Sequence, residues 1–285
     1  MPVRGIVRGV QTVGLTWQQS FEAAGAVAVA GGMLALPPQR WVRAVGAAAR
    51  EVSVIGFLYG LWHLAGTVSI RDVPGAQARA HWIQDFDRYL PLPNERVMQH
   101  AALHSRLIVE GANLYYAAMH MTVMLLFLVW LFLRHRDQYR PVRHVLAWTT
   151  LVCLLIQLVP VAPPRMLPGF VDTGVLLHQS VYSNGLAADQ LSAMPSVHVA
   201  WAVLVGYYTW KISPSRWRWL GIAHAVVTTL FVVITGNHWW LDGIVSVLVL
   251  AGCAWAVYGV RTAWRSARRP ASPERELAGA PAMSG

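Results

Sequence analysis

Long apolar runs dominate the sequence, and short basic stretches separate them. A helix needs roughly 20 mainly apolar residues to cross a bilayer core of about 30 Å. The segments that reach or approach this length are Ser53–Ile70, Asn113–Leu133, Val145–Val161, Val197–Trp210, Trp217–Thr235 and Trp239–Val260. The pattern predicts an all-α, polytopic membrane protein built as a bundle of six transmembrane helices.

The basic linkers predict the orientation of this bundle. Arginine-rich stretches follow the second and sixth predicted spans, at 134–143 and 261–269, and Lys211 lies between the fourth and fifth. Cytoplasmic loops carry the excess of Lys and Arg, so we expect these stretches and both termini to be cytoplasmic, in a multi-pass protein of the plasma membrane. The segments then left on the outer side are 71–112, 162–196 and 236–238.

Two further apolar segments are not predicted to span. Residues 23–36 are apolar but short and contain glycine, which favours an interfacial or re-entrant segment; if they did span, the N-terminus would lie outside. Residues 79–90 place Trp82, Ile83 and Phe86 at helical spacing opposite charges, which predicts an amphipathic interfacial helix on the outer side. The expected units are an N-terminal segment (1–50), a membrane domain (51–262) and a disordered cytoplasmic tail (263–285).

Composition excludes several classes of protein. The chain is 55% hydrophobic and 13% charged, whereas about a quarter of the residues of a soluble domain are charged, so a water-soluble enzyme is excluded. The net charge of +10 is spread between apolar runs rather than gathered on one solvated face, so we expect no nucleic-acid partner. The chain has no glycine-rich cofactor loop, and we expect no cofactor.

Three short motifs carry the residues suited to chemistry. One closes the third predicted span (162–165), one opens the fourth (194–198), and one opens the sixth (236–242). All three would lie at the same depth on the outer side of the membrane. We therefore expect them to converge on one site.

The residue types in these motifs indicate phosphate chemistry. Pro195 suits the first turn of a helix, so the amides just after it face outward, where an anion can dock near His198. His238 and Asp242 are four residues apart, so the carboxylate can hold one ring nitrogen and leave the other free to attack. Arg165 adds a charged fork suited to phosphate oxygens.

With these motifs the sequence resembles the type 2 phosphatidic acid phosphatase superfamily over roughly residues 51–260. The superfamily signatures Pro-Ser-Gly-His and His-x-x-x-Asp are matched by Pro195–His198 and by His238 with Asp242. The wider pattern, with Asn113, Tyr116 and His120 in the second span, looks like the branch containing inositol phosphorylceramide synthase and bacterial relatives. Asp172, in the same pattern, is expected to be an N-cap or turn residue.

The sequence departs from the superfamily pattern at two cationic positions. Leu158 stands where the superfamily has a lysine, and Val232 stands where it has an arginine. Fewer cations in the pocket would leave phosphate more dependent on other polar groups. The residues expected to fill this role are Asn113, His120, Ser196 and Asn237.

The resemblance implies a metal-independent phosphoryl transfer through a phosphohistidine. His238 would attack phosphorus, Asp242 would orient its ring, and His198 would protonate the leaving oxygen and then activate the acceptor. The groups expected to stabilise the phosphoryl oxygens are Arg165 and the backbone amides of Ser196 and Val197.

The same resemblance leaves the acceptor open. The substrate would be a phospholipid or lipid phosphate in the membrane, and the acceptor would be water in a phosphatase or an alcohol such as inositol in a phosphotransferase of the inositol phosphorylceramide synthase type. A different class also fits the spans: a non-catalytic transporter that shares the helix bundle and uses its intramembrane histidines for protons.

Overall fold

The structure, a computed structural model, describes residues 15–180 and 190–267. Of these residues 79% are helical and none forms a strand, which confirms the all-α prediction. The helices are α1 (Trp17–Met33), α2 (Arg40–Ser69), α3 (Val73–Asp87), α4 (Glu95–Leu103), α5 (Arg106–Arg134), α6 (Arg136–Ile156), α7 (Thr173–Leu176), α8 (Val197–Ile212), α9 (Arg218–Ile234) and α10 (Trp240–Ala267).

Three helices in this part of the chain are long and apolar enough to cross a membrane: α2, α5 and the Trp240–Val260 part of α10. α9 is apolar but shorter. α6 and α8 overlap predicted spans, but they are not both long enough and apolar enough to count as candidate membrane-spanning helices. The structure thus supports a membrane protein, while the count of six spans stays a prediction.

The N-terminal helices pack closely against each other. Gly31 of α1 and Gly46 of α2 meet so tightly that a Cβ at Gly31 would lie 2.9 Å from the Gly46 carbonyl oxygen. α1 includes most of the segment 23–36, and α2 continues through residue 50, where the membrane domain was expected to begin. Most of the expected tail 263–285 lies outside the described residues; α10 ends at Ala267.

The central core joins α5, α6, α8 and α10. Its largest apolar cluster contains Phe127 and Leu131 of α5, Val145 of α6, Leu204 of α8 and Leu250 of α10. These helices interlock because apolar side chains recur every three to four residues on their facing sides. This packing brings the first residues of α8 and α10 together at one end of the bundle.

α3 lies against the loops at that same end. Its small residues Ala76 and Ala80, with Ile83, pack on Ala162 and Trp239 in a buried cluster. Trp82 and Phe86 stack on each other on the side of α3 that is exposed at the protein surface. The predicted helix is therefore present, although Ile83 faces the core rather than sharing the exposed apolar side with Trp82.

Candidate active site

His238 is held in one tautomer just before α10 begins. Its Nδ1 lies 2.7 Å from the Ala193 carbonyl oxygen and 3.3 Å from Asp242 Oδ2. Both partners are acceptors, so Nδ1 carries the proton and the Nε2 lone pair remains available. Asp242 is fully buried and also accepts from the Trp239 amide at 2.8 Å, which fixes the carboxylate.

The start of α8 is tied to the start of α10. Ser196 is the N-cap of α8, and its hydroxyl accepts from the Val199 amide at 3.3 Å. Its own amide donates to the Asp242 carbonyl oxygen at 3.3 Å, so this N–H is already used within the protein. Val197 is the first residue of α8, where a backbone N–H has no partner inside the helix.

His198 lies between the nucleophile candidate and two aromatic rings of α5. Its ring centroid is 5.7 Å from that of His238. Tyr116 stacks on it at 4.3 Å with an interplanar angle of 24°, and His120 approaches it edge-on at 4.3 Å. His120 Nδ1 donates to the Tyr116 carbonyl oxygen at 3.1 Å, so the structure places His120 against His198 and not against Arg165.

Arg165 is buried and held by contacts within the protein. Its amide donates to the Gly236 carbonyl oxygen at 2.9 Å, and its Nη1 donates to Asn237 Oδ1 at 2.5 Å. Its Nε lies 3.3 Å from Asp172 Oδ2 in an ion pair. These contacts place the guanidinium beside the residue that precedes His238.

Asp172 and Asn113 stand on the other side of Arg165. Asp172 caps α7 by accepting from the Val175 amide at 3.0 Å, which confirms the N-cap interpretation. Asn113 donates to the Thr173 carbonyl oxygen at 3.1 Å and accepts from the Thr173 hydroxyl at 2.9 Å. A small cavity is lined by Asn113, Arg165, Asp172 and Asn237 among others.

Comparison with known protein families identifies the family of this chain. The sequence matches the PAP2 superfamily over residues 81–256. The chain belongs to the PAP2 superfamily. No curated protein and no solved structure matches it. The matched residues run from α3 into α10 and include all three motifs.

PAP2 superfamily membership supports a phosphoryl-transfer activity of the phosphatase or phosphotransferase type. A lipid phosphate in a membrane is the substrate that fits such a protein. In the described part of the chain, no three His, Cys, Asp or Glu side chains form a group that could hold a metal ion.

This PAP2 site also contains two buried carboxyl groups that the sequence motifs did not identify. Glu95 Oε1 lies 3.5 Å from the Trp240 amide at the first turn of α10, and Asp87 faces both Glu95 and the Leu241 amide. Burial and the neighbouring Glu95 raise the pKa of Asp87 to about 8. Nothing in the local sequence indicates this pairing, because it depends on how α3 and α4 dock on α10.

Proposed function

We propose that this protein is a membrane-embedded lipid phosphate phosphatase or lipid phosphotransferase that works through a phosphohistidine, without a metal ion, at the outer face of the plasma membrane. The observation that carries this proposal is the tautomer of His238. Two acceptors hold its Nδ1 proton, so the lone pair on Nε2 is free to act as a nucleophile.

The first half of the reaction transfers the phosphoryl group to the protein. His238 Nε2 forms a bond to phosphorus while the bond from phosphorus to the lipid oxygen breaks. His198 gives its proton to that leaving oxygen, and Asp242 stabilises the positive charge on the His238 ring. Arg165 and the Val197 amide stabilise the phosphoryl oxygens.

The second half transfers the phosphoryl group to the acceptor. His198, now without its proton, removes one from the incoming hydroxyl, whose oxygen attacks phosphorus as the bond to His238 breaks. Asn237 and Asn113 support this pocket through Arg165 and through the loop that carries Thr173. Ser196 supports it by joining α8 to α10, and His120 supports it through its contact with His198.

Products distinguish the possible acceptors. The purified protein in lipid nanodiscs is incubated with radiolabelled lipid phosphates and phospholipids, with EDTA, and with or without inositol. Free phosphate identifies a phosphatase, and a labelled inositol phosphate that forms only when inositol is present identifies a phosphotransferase with an alcohol acceptor. Label that moves from a phospholipid to a second lipid alcohol identifies a transferase of the inositol phosphorylceramide synthase type. Turnover that ceases in EDTA would contradict metal independence.

Variants test the phosphohistidine itself. His238→Ala and His198→Ala should each abolish turnover while the protein stays folded, whereas the exposed His81→Ala is a control that should retain it. Label bound to the wild-type protein after denaturation should be lost in acid and absent from His238→Ala. Turnover in either active-site variant ends the mechanism, and a protein that neither turns over lipid nor binds vanadate would fit the transporter instead.

A further inference from the structure

Arg165, which lines the cavity next to Asn237, is partly neutralised within the protein. Of the described residues around that cavity, Arg165 is the only cationic side chain and Asp172 is the only carboxylate. The two are 3.3 Å apart. The side chain of Arg165 is 3% exposed, whereas that of Asp172 is 34% exposed, so the carboxylate stands on the more open side of the pair.

The position of Asp172 is fixed by its neighbours. Gln99 holds Val171 from both directions, accepting from its amide at 2.8 Å and donating to its carbonyl oxygen at 3.0 Å. The Asp172 side chain itself accepts from the Val175 amide at 3.0 Å. Because backbone and side chain are both held, we expect the carboxylate to remain near the guanidinium when an anion approaches Arg165.

This fixed carboxylate repels each negative charge of an incoming phosphate. A phosphate monoester carries close to two negative charges at pH 7, because its second pKa is about 6, whereas a phosphodiester carries one. A unit charge in a partly exposed site changes a binding constant by roughly tenfold. The penalty from Asp172 is therefore larger for the monoester than for the diester.

We propose that Asp172 is a specificity residue that shifts the pocket toward monoanionic phosphates, so that the lipid it selects is a phosphodiester. This inference rests on the proposed function and deepens it, because it favours the phosphotransferase with a phosphodiester donor over the phosphatase that acts on a monoester. Asp172 acts through charge on the bound anion and through its ion pair with Arg165. It takes no part in bond making or breaking.

Two lipids that differ by one methyl group test this selection. Short-chain phosphatidic acid is a monoester, and phosphatidylmethanol with the same acyl chains is a diester. Binding of each is measured by calorimetry on the His238→Ala protein in nanodiscs, so that turnover cannot interfere. We expect the His238→Ala protein to bind the diester more tightly than the monoester. Adding Asp172→Asn should tighten binding of the monoester by more than tenfold. The ratio of the monoester Kd to the diester Kd should therefore fall several-fold.

The substitution and its controls separate charge from structure. Asn keeps the cap on α7, and Asp172→Ser is a second neutral variant that can also cap. Asp85→Asn is the matched control, because it removes one exposed carboxylate from α3, where Asp85 pairs with Arg88. This control should change neither affinity.

Three outcomes oppose the inference or its basis. If both lipids bind and neither Asp172 variant changes their ratio, the selection by charge is wrong. If the variants weaken both lipids equally, Asp172 has a structural role only, which also overturns it. If neither lipid binds to the wild-type or the His238→Ala protein, the proposed phosphate pocket is itself wrong.

Discussion

Gly236→Ala should weaken both the fold and the site, because this glycine lies where the Arg165 loop meets the residues before α10. Gly236 has a φ of 69°, a left-handed conformation that costs a residue with a Cβ about 1–2 kcal/mol. The added Cβ would lie 2.8 Å from Gln99 Nε2 and 3.2 Å from Arg165 Cβ. Gln99 would have to move, and one of its two bonds to Val171, worth about 1 kcal/mol, would be lost.

These terms add to a loss of about 2–3 kcal/mol in the free energy of unfolding, or a fall in Tm of roughly 4–12 °C for a chain of this size. Turnover should also fall at temperatures where the variant is still folded. The Gly236 carbonyl oxygen accepts the Arg165 amide at 2.9 Å, so the guanidinium would shift with the loop. The measurements are tryptophan fluorescence on heating in nanodiscs and lipid turnover well below the transition.

Gly252→Ala is the matched control. A Cβ at Gly252 would have nothing within 4 Å, and Gly252 lies inside α10, where alanine favours the helix. This variant should unfold at the wild-type temperature or above and keep its turnover. If Gly236→Ala behaves like Gly252→Ala in both measurements, the close approach of Gly236 does not hold Arg165 in place.

Three further changes probe groups around the site. The folded protein keeps a proton on Asp87 up to about pH 8, whereas the unfolded chain releases it near pH 3.8, so the free energy of unfolding should fall as pH rises through this interval. In Asp87→Asn the fall of Tm with pH should be smaller, and an unchanged slope refutes the assignment. Trp239→Phe removes the N–H that donates to the buried Ala162 carbonyl oxygen at 3.0 Å and should lower stability by about 1–3 kcal/mol, whereas unaltered thermal unfolding would contradict this. Asn113→Ala breaks both bonds to Thr173 and should raise KM for the lipid more than it lowers kcat; an effect on kcat alone would count against this support of the loop.

The all-helical class and the meeting of the three motifs could be predicted from sequence. Apolar runs of this length favour helices in any compact arrangement, because a helix satisfies its own backbone hydrogen bonds. Motifs at the ends of neighbouring runs then share one end of the bundle. The spacing of His238 and Asp242 was sufficient to predict their contact, although His238 lies just before α10 rather than within it.

The contacts around Arg165 could not be predicted in the same way, because they depend on irregular loops. Gly169 has a φ of 89°, and its turn brings Asp172 back to Arg165 seven residues after the chain has left it. No periodicity encodes such a reversal. The pairing of Asp87 with Glu95 likewise depends on docking between separate helices, which local sequence does not determine.

The relative positions of the reacting groups depend on backbone hydrogen bonds between these loops. The Ala193 amide donates to the Val161 carbonyl oxygen at 3.2 Å, and the Ala193 carbonyl oxygen accepts the Nδ1 proton of His238. The Arg165 amide donates to the Gly236 carbonyl oxygen. Substitution of a side chain does not remove the main-chain bonds among these loops. A conservative exchange of a reacting side chain should therefore leave the geometry of the others intact, whereas a change in loop conformation should disturb all of them together.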